Sequence, residues 1–196
     1  NTSMNPEKIG RTPCVQTVTG PVSVLGHVQC HEHIYLRKGP SYECSHALCM
    51  DDYERSLQEL REYHAHGGRT IVDAQPGFFG RDAEILRRLS VQSGVQIVAV
   101  TGFHKLQFME EGSPLLKLSR EELTALFVSE IRDGMLQPDG TRSAAKAGMV
   151  KLAYEKEGWR SAEYKTLFEA AADAAALTGA PVMVHTEKQN DLLGLL

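Results

Sequence analysis

Apolar residues along this chain switch repeatedly between two spacings, every second residue and every third to fourth. The first spacing belongs to strands and the second to helices. From Cys14 to Leu25 the alternation of Val15, Thr17 and Thr19, then Val22 and Val24, predicts a β-hairpin with Gly20-Pro21 at its turn. Gly26 to Leu36 reads as the next strand. Asp52 to His66 reads as a helix, with Tyr53, Leu57, Leu60 and His64 in phase and Gly67-Gly68 as its stop. Arg69 to Ala74 is a short strand rich in β-branched residues. A helix over Arg81 to Ser93 follows, closed by Gly94, and then a strand over Val95 to Thr101. After a loop around Phe103 to Pro114, Ser119-Arg120-Glu121-Glu122 forms a capping box that opens a helix to Asp133. Gly148 to Ala153 is a strand. Ser161 to Thr178 is an alanine-rich helix ended by Gly179 and Pro181, and Val182 to Thr186 is the last strand.

Strands alternating with helices imply parallel βα units. An open doubly wound sheet fits the same order, but such sheets carry a glycine-rich phosphate loop after the first strand. Here that strand carries His-Glu-His instead, so the reading is an α/β barrel of the (β/α)8 type. Only its N-terminal part is present, preceded by the hairpin, and the last strand stands too close to Leu196 for closure. The expected organisation is one domain over 1–196: a tail over 1–13, the hairpin over 14–25 and strands one to five over 26–196. Asn1-Thr2-Ser3 reads as a cloning remnant ahead of Met4.

Composition narrows the function. A formal net charge of -4 gives no electrostatic footprint for nucleic acid. No apolar run approaches a membrane span. Cys14, Cys30, Cys44 and Cys49 form no paired framework, which fits a reducing, cytoplasmic compartment. Cys44 and Cys49 with His46 between them lack the spacing of a zinc knuckle.

The candidate chemistry lies at strand ends. His31 and His33 are two residues apart on one strand and face the same way. Lys151 ends one apolar strand in Ala-Gly-Met-Val-Lys, and His185 ends another in Val-Met-Val-His-Thr-Glu. Imidazole favours zinc. A neutral lysine amine is a poor bridge between two cations, but as a carbamate it is a carboxylate on a long stem that spans both. Two metals about 3.5–4 Å apart share a hydroxide whose parent water has its pKa lowered towards ~7. Taken singly, each residue has a duller reading: a chance His-x-His, a strand-end lysine, a hydrogen-bonded barrel histidine. It is their joint arrangement that points to a metal centre.

Val-Gln-Thr-Val-Thr-Gly-Pro, then Leu-Gly-x-x-x-x-His-Glu-His, Ala-Gly-Met-Val-Lys and Thr-Gly-Ala-Pro-Val-x-x-His-Thr together resemble the phosphotriesterase family of the amidohydrolase superfamily, from Cys14 to Glu187. The resemblance implies a metal-dependent hydrolase on a distorted (β/α)8 barrel, acting on phosphotriesters, lactones or phosphorylated sugar lactones. It makes His31 and His33 ligands of the more buried of two divalent ions, Zn2+ foremost. Lys151 becomes the carboxylated bridge and His185 a ligand of the more exposed ion. The family's remaining ligands, a histidine after strand six and an aspartate after strand eight, have no counterpart in this sequence.

Secondary candidates are Lys105, which can pair with a substrate phosphate, and Tyr154, which can line the pocket. Glu187 could support His185, and Asp73 could act at the rim or behind the ligands. His64 and His66 at a helix C-terminus read as structural, and His27 and His104 belong to no motif. The expected function is hydroxide attack on a lactone, with phosphotriester hydrolysis as the alternative. A non-catalytic half-barrel is the rival from another class, because open edges at the first and fifth strands demand cover. A small ester or lactone is the expected partner, with a homodimer as the assembly and neither nucleic acid nor membrane.

Overall fold

The computed structural model describes residues 14–155 and 161–187, so the expected tail over 1–13 lies outside the described residues. The elements run β1 (Val15–Thr17), β2 (Gly20–Val22), β3 (His27–Glu32), α1 (Pro40–Cys44), α2 (Tyr53–Ala65), β4 (Gly68–Asp73), α3 (Ala83–Ser93), β5 (Gln96–Gly102), α4 (Arg120–Arg132), β6 (Met149–Tyr154), α5 (Ala162–Thr178) and β7 (Val182–Thr186). β3 to β7 form one parallel sheet in sequence order, and β1 pairs with β2 antiparallel. Sequential parallel strands joined through helices are the ordering of a barrel wall.

The helices begin where the sequence supplies caps. The side chains of Asp52, Asp82, Ser119 and Ser161 accept from the first turns of α2, α3, α4 and α5, with the full capping box at Ser119 and Glu122. Gly94 and Gly179 end α3 and α5 in the left-handed region. Two clusters bury the helix-facing side of the sheet. Leu57, Leu60, Leu86, Leu89, Ile71 and Ile97 fill the first, and Phe79, Phe103, Phe127, Leu152, Leu167 and Ala171 fill the second. Val72, Val98 and Val100, with Val28, Met149 and Met183 against them, line the opposite, inner face. Among the described residues no helix is long and apolar enough to cross a membrane.

The hairpin differs from expectation. Its turn falls at Val18-Thr19, and Gly20-Pro21 belongs to β2. Val18 is 3% exposed and donates its N–H to Ile97 O at 2.9 Å, while the Thr17 hydroxyl closes the turn on Gly20 O at 2.6 Å. Burying Val18 under the sheet outweighs the turn preference of Gly-Pro. Gly148 permits the approach, since a Cβ there would collide with Gln16 O.

The histidine strand also differs. It ends at Glu32, four residues before Leu36, and α1, which the sequence pattern does not announce, follows. Within β3 the pairing runs Gln29 to Ile71 and then Glu32 to Asp73, so Cys30 and His31 stand opposite Val72 alone. That is a β-bulge, one extra residue on β3. Val28 faces the inner cluster, so unbroken alternation would put Cys30 and Glu32 on the inner face and His31 outside. The bulge reverses the phase and turns His31 inward.

Across the sheet's helix side, the Arg81 guanidinium pairs with the Glu130 carboxylate at 2.6 Å with both side chains buried. Arg81 also donates to Val100 O, and Glu130 accepts from the Thr101 hydroxyl at 2.7 Å. Burial alone would push the Glu130 carboxyl up, but the adjacent guanidinium holds it below the usual carboxylate range. The clamp fixes the end of β5, where Gly102 sits at φ +101 with no room for a Cβ beside Lys151 O. Phe103 N–H then donates to the same Lys151 O at 2.9 Å. We expect Gly102→Ala to lower stability by about 1–3 kcal/mol in urea titration, the cost of a strained backbone position plus a displaced β6. A loss within about 0.5 kcal/mol, as at ordinary surface sites, would contradict this packing.

Candidate metal centre at the strand ends

Lys151 is the centre of the site. It lies on β6 in phase with the inner-facing Met149 and is 0% exposed. Its Nζ stands 3.2 Å from His31 Nε2. Burial lowers its pKa to about 8, although the charge of Asp73 pulls it upward. A substantial fraction of the amine is therefore neutral in mildly alkaline solution, which an exposed lysine would not be.

Imidazoles surround this amine. The His31 and His33 rings are 5.9 Å apart, and His31 and His185 are 6.3 Å apart, centroid to centroid. His104 joins them, 6.2 Å from His33 and 5.1 Å from His185. Burial, and then the positive charge of Lys151, lowers the pKa of every one of them: His31 and His33 in direction, His185 to about 4 and His104 to about 2. All four are therefore neutral at pH 7 and free of the proton that competes with a metal.

The structure thus brings together His31 on β3, His33 just after it, Lys151 on β6 and His185 on β7. It adds His104, which follows β5 and belongs to no sequence motif. Its Nδ1 accepts the Lys105 N–H at 2.7 Å, which puts the ring proton on Nε2. The signal that could have found it is positional: like the other three, it stands at the C-terminal end of a strand.

The secondary candidates separate. Lys105 forms an ion pair with Glu187 and lies over the Phe108 ring, 5.6 Å from its centroid. Glu187 Oε1 also lies 3.1 Å from His185 Nε2, so it links the rim lysine to the histidine. Tyr154 is not brought to the cluster. It is in phase with Val150 and Leu152, and its ring meets Phe168 of α5 edge-on at 6.1 Å. The alternation that turns Lys151 inward turns Tyr154 towards the helices. Asp73 is wholly buried at the end of β4, and burial raises its carboxyl to about 6 against the backbone N–H groups it accepts. His46 stacks on Tyr42 at 4.3 Å and all four cysteines are free.

Among the described residues no three histidine, cysteine, aspartate or glutamate side chains converge on one ion position. The strand-end donors nonetheless suit a divalent metal. They are neutral imidazoles around a buried amine, and His33 Nδ1 is shielded from solvent with no hydrogen-bond partner. A buried nitrogen left without a partner is costly unless something else engages it.

A family model matches this chain. It describes the Phosphotriesterase family and matches residues 13–195. The chain belongs to that family. It is 35% identical over 185 residues to a phospho-furanose lactonase of Mycoplasmopsis synoviae (strain 53), covering 88% of this chain and 52% of the relative. Among solved structures it superposes on an amidohydrolase from Mycoplasma synoviae with TM-score 0.81 and 32% identity, covering 89% of this chain and 52% of that one. A lactonase from Listeria monocytogenes matches with TM-score 0.79 and 27% identity, over 93% of this chain and 59% of that one. The parallel sheet is therefore part of a TIM barrel of phosphotriesterase type. The chain spans about half the length of the relatives it matches.

The depressed imidazole pKa values set a pH dependence. The unfolded state protonates histidine near 6.5, whereas folded His185 and His104 wait until about 4 and about 2. Between about 4 and 6.5 the unfolded chain binds more protons, so stability falls as pH falls through that window. Asp73 acts in the opposite sense between 3.8 and about 6, one carboxylate against four imidazoles. The urea midpoint should drop from pH 7 to pH 5, while NMR shows the His104 and His185 rings still neutral at pH 5.5. Rings that protonate near pH 6.5, with a flat midpoint, would mean that the cluster is open to water.

Proposed function

We propose that this chain carries the first half of the active site of a divalent-metal hydrolase that opens lactones, phosphorylated sugar lactones among them. The observation that carries the reading is the buried Lys151 amine, its pKa lowered to about 8, facing His31 Nε2 at 3.2 Å among strand-end imidazoles. A structural lysine would reach solvent or a carboxylate. This one is held where its neutral form is useful. The neutral amine nitrogen adds to the carbon of CO2 and loses one proton to solvent, leaving a carbamate with two metal-binding oxygens.

In this reading His31 and His33 would hold the more buried of two ions, His185 the more exposed one, and the Lys151 carbamate would serve both. Bound there, ions such as Zn2+ would supply a hydroxide nucleophile near neutral pH, because a metal lowers the pKa of bound water towards ~7. Glu187 orients the His185 ring through Nε2, and His104 presents Nε2–H to the space between the strand ends. Lys105 meets the phosphate of a phosphorylated substrate by exchanging its Glu187 partner for it. The 35% identity to a phospho-furanose lactonase supports the substrate class, and phosphotriesters are the second choice. Cytoplasmic residence and a homodimer belong to the same reading, the former supported by the four free cysteines.

Two outcomes test it. The product of the complete reading frame, prepared without chelator, should contain close to two divalent ions per chain by elemental analysis, and His31→Ala should lose most of them. Absence of metal in the parent protein would end the binuclear reading. Lys151→Ala should be inactive on γ- and δ-lactones and regain part of its rate with added short carboxylates that occupy the bridge. Added bicarbonate should speed reactivation of metal-free parent protein by zinc. A Lys151→Ala protein that keeps both ions and full turnover would overturn the bridge.

A further inference from the structure

The ligand pair His31 and His33 sits where an ordinary strand would not put it. The bulge at Cys30-His31 reverses the alternation of β3, and the strand stops at Glu32. What stops it is a side chain. The Asp73 carboxylate accepts the Ile34 N–H on Oδ2 at 2.8 Å and the Gln75 N–H on Oδ1 at 3.0 Å. Beside it, Ala74 N–H donates to Glu32 O at 2.8 Å. A continuing parallel ladder would give the Ile34 amide to a backbone carbonyl and keep the chain in the sheet. The carboxylate captures it instead and turns the chain immediately after His33. His33 is thus fixed on one side by the Glu32–Ala74 hydrogen bond and on the other by the Ile34–Asp73 hydrogen bond.

We propose that Asp73 is a positioning residue for the metal centre, holding the His33 imidazole in its ligating place through the Ile34 amide. Asp73 touches neither substrate nor metal. It is 0% exposed, and a carboxylate buried at that depth needs several hydrogen bonds to be tolerated. The amides it uses belong to the segment just after His33 and to its own turn. The bulge sets which face His31 takes, and the carboxylate sets where the strand lets go. Both are needed to bring the two imidazoles to Lys151. Groups that orient a ligand typically change metal affinity by about 10–100-fold when removed.

The inference rests on the metal-centre reading, and the probe is zinc alone, titrated into metal-free protein below its melting transition with a competing chromophoric chelator. Asp73→Asn, nearly isosteric, keeps only one of the two acceptor oxygens that serve the Ile34, Tyr35 and Gln75 amides. It should weaken zinc binding about 10-fold, and Asp73→Ala about 100-fold, with far-ultraviolet circular dichroism unchanged. Ser90→Ala, which removes a buried hydrogen bond to Val95 O at the far end of β5, is the control for a simple loss of stability and should leave zinc affinity as in the parent. Linkage gives a test in the unmodified protein as well: if the amide and the ligand are coupled, zinc must slow hydrogen exchange at Ile34. Equal affinity in parent and Asp73 variants would overturn the inference while leaving the metal centre standing. So would Ser90→Ala matching their loss, or Ile34 exchange that ignores zinc. A parent protein that binds no zinc would instead remove the reading beneath it.

Discussion

A lysine amine sealed from solvent is the constraint from which the rest of this structure follows. Taking an unpaired ammonium out of water costs several kcal/mol even after the protein relaxes. The fold does not offset that cost with a contacting carboxylate. It lets the pKa fall to about 8 and surrounds the amine with imidazoles that carry no charge at pH 7, the charge of Asp73 only partly opposing the fall. Each neighbouring imidazole is depressed in turn, partly by the residual charge of Lys151. The imidazoles are therefore held neutral at pH 7, while the amine gives up its proton about one unit above neutrality. That is unfavourable for a core and well suited to binding a cation, which accounts for local choices that would otherwise look like defects. Gly102 leaves room for β6, β3 bulges to present His31, and His33 Nδ1 has no hydrogen-bond partner.

The order of strands and helices was legible in the sequence because periodicity and caps agreed. Ser119 with Glu122, Gly94 and Gly179 mark ends that the structure keeps. The candidate residues stood out as a His-x-His, a lysine on one apolar strand and a histidine near the end of another, and the structure brings all four near one another. The misses share a physical cause, which is that tertiary contacts override local preference. Gly20-Pro21 is a good turn in isolation, yet the turn moves to Val18-Thr19 because burying Val18 against Ile97 needs it there. The strand through Leu36 stops early because a side chain thirty-nine positions away, Asp73, captures the Ile34 amide. Simple alternation placed His31 and His33 together, but it could not show that their shared face depends on a bulge. Tyr154 is a separate case, settled by alternation alone: three residues on from Lys151 it takes the opposite face and meets Phe168.

Some residues carry a signal that no one-dimensional pattern holds. His104 becomes meaningful only when β5 lies between β4 and β6 and its end meets the ends of β3 and β7. Arg81 and Glu130 look like two charges on two helical stretches. In the folded chain they form a buried pair that also binds Val100 O, Thr101 and the Leu136 N–H. Replacing such a pair with apolar residues is often neutral for stability, so stability alone is a weak explanation for keeping it. Geometry explains it better. Every partner of the pair lies at or just beyond the end of β5 or at the end of α4, and the end of β5 is what sets Gly102, Phe103 and His104.

The rim pair of Lys105 and Glu187 limits what the site can accept. A lysine presented to solvent would attract any anion, including inorganic phosphate, and would discriminate poorly. Here Glu187 holds the ammonium and also lies against His185 Nε2, so an incoming anion must compete with a carboxylate already in place. Only a ligand that gains binding elsewhere in the site can meet that cost; under the proposed function a phosphorylated lactone would do so through its ring at the strand ends. Such an exchange would also reach His185, because the carboxylate giving up Lys105 would stay against the ring and become a stronger acceptor for it. Under the proposed function, recognition of a phosphate at the rim and basicity of the imidazole in the centre would be coupled through one glutamate. A rim built from lysine alone could not provide that coupling.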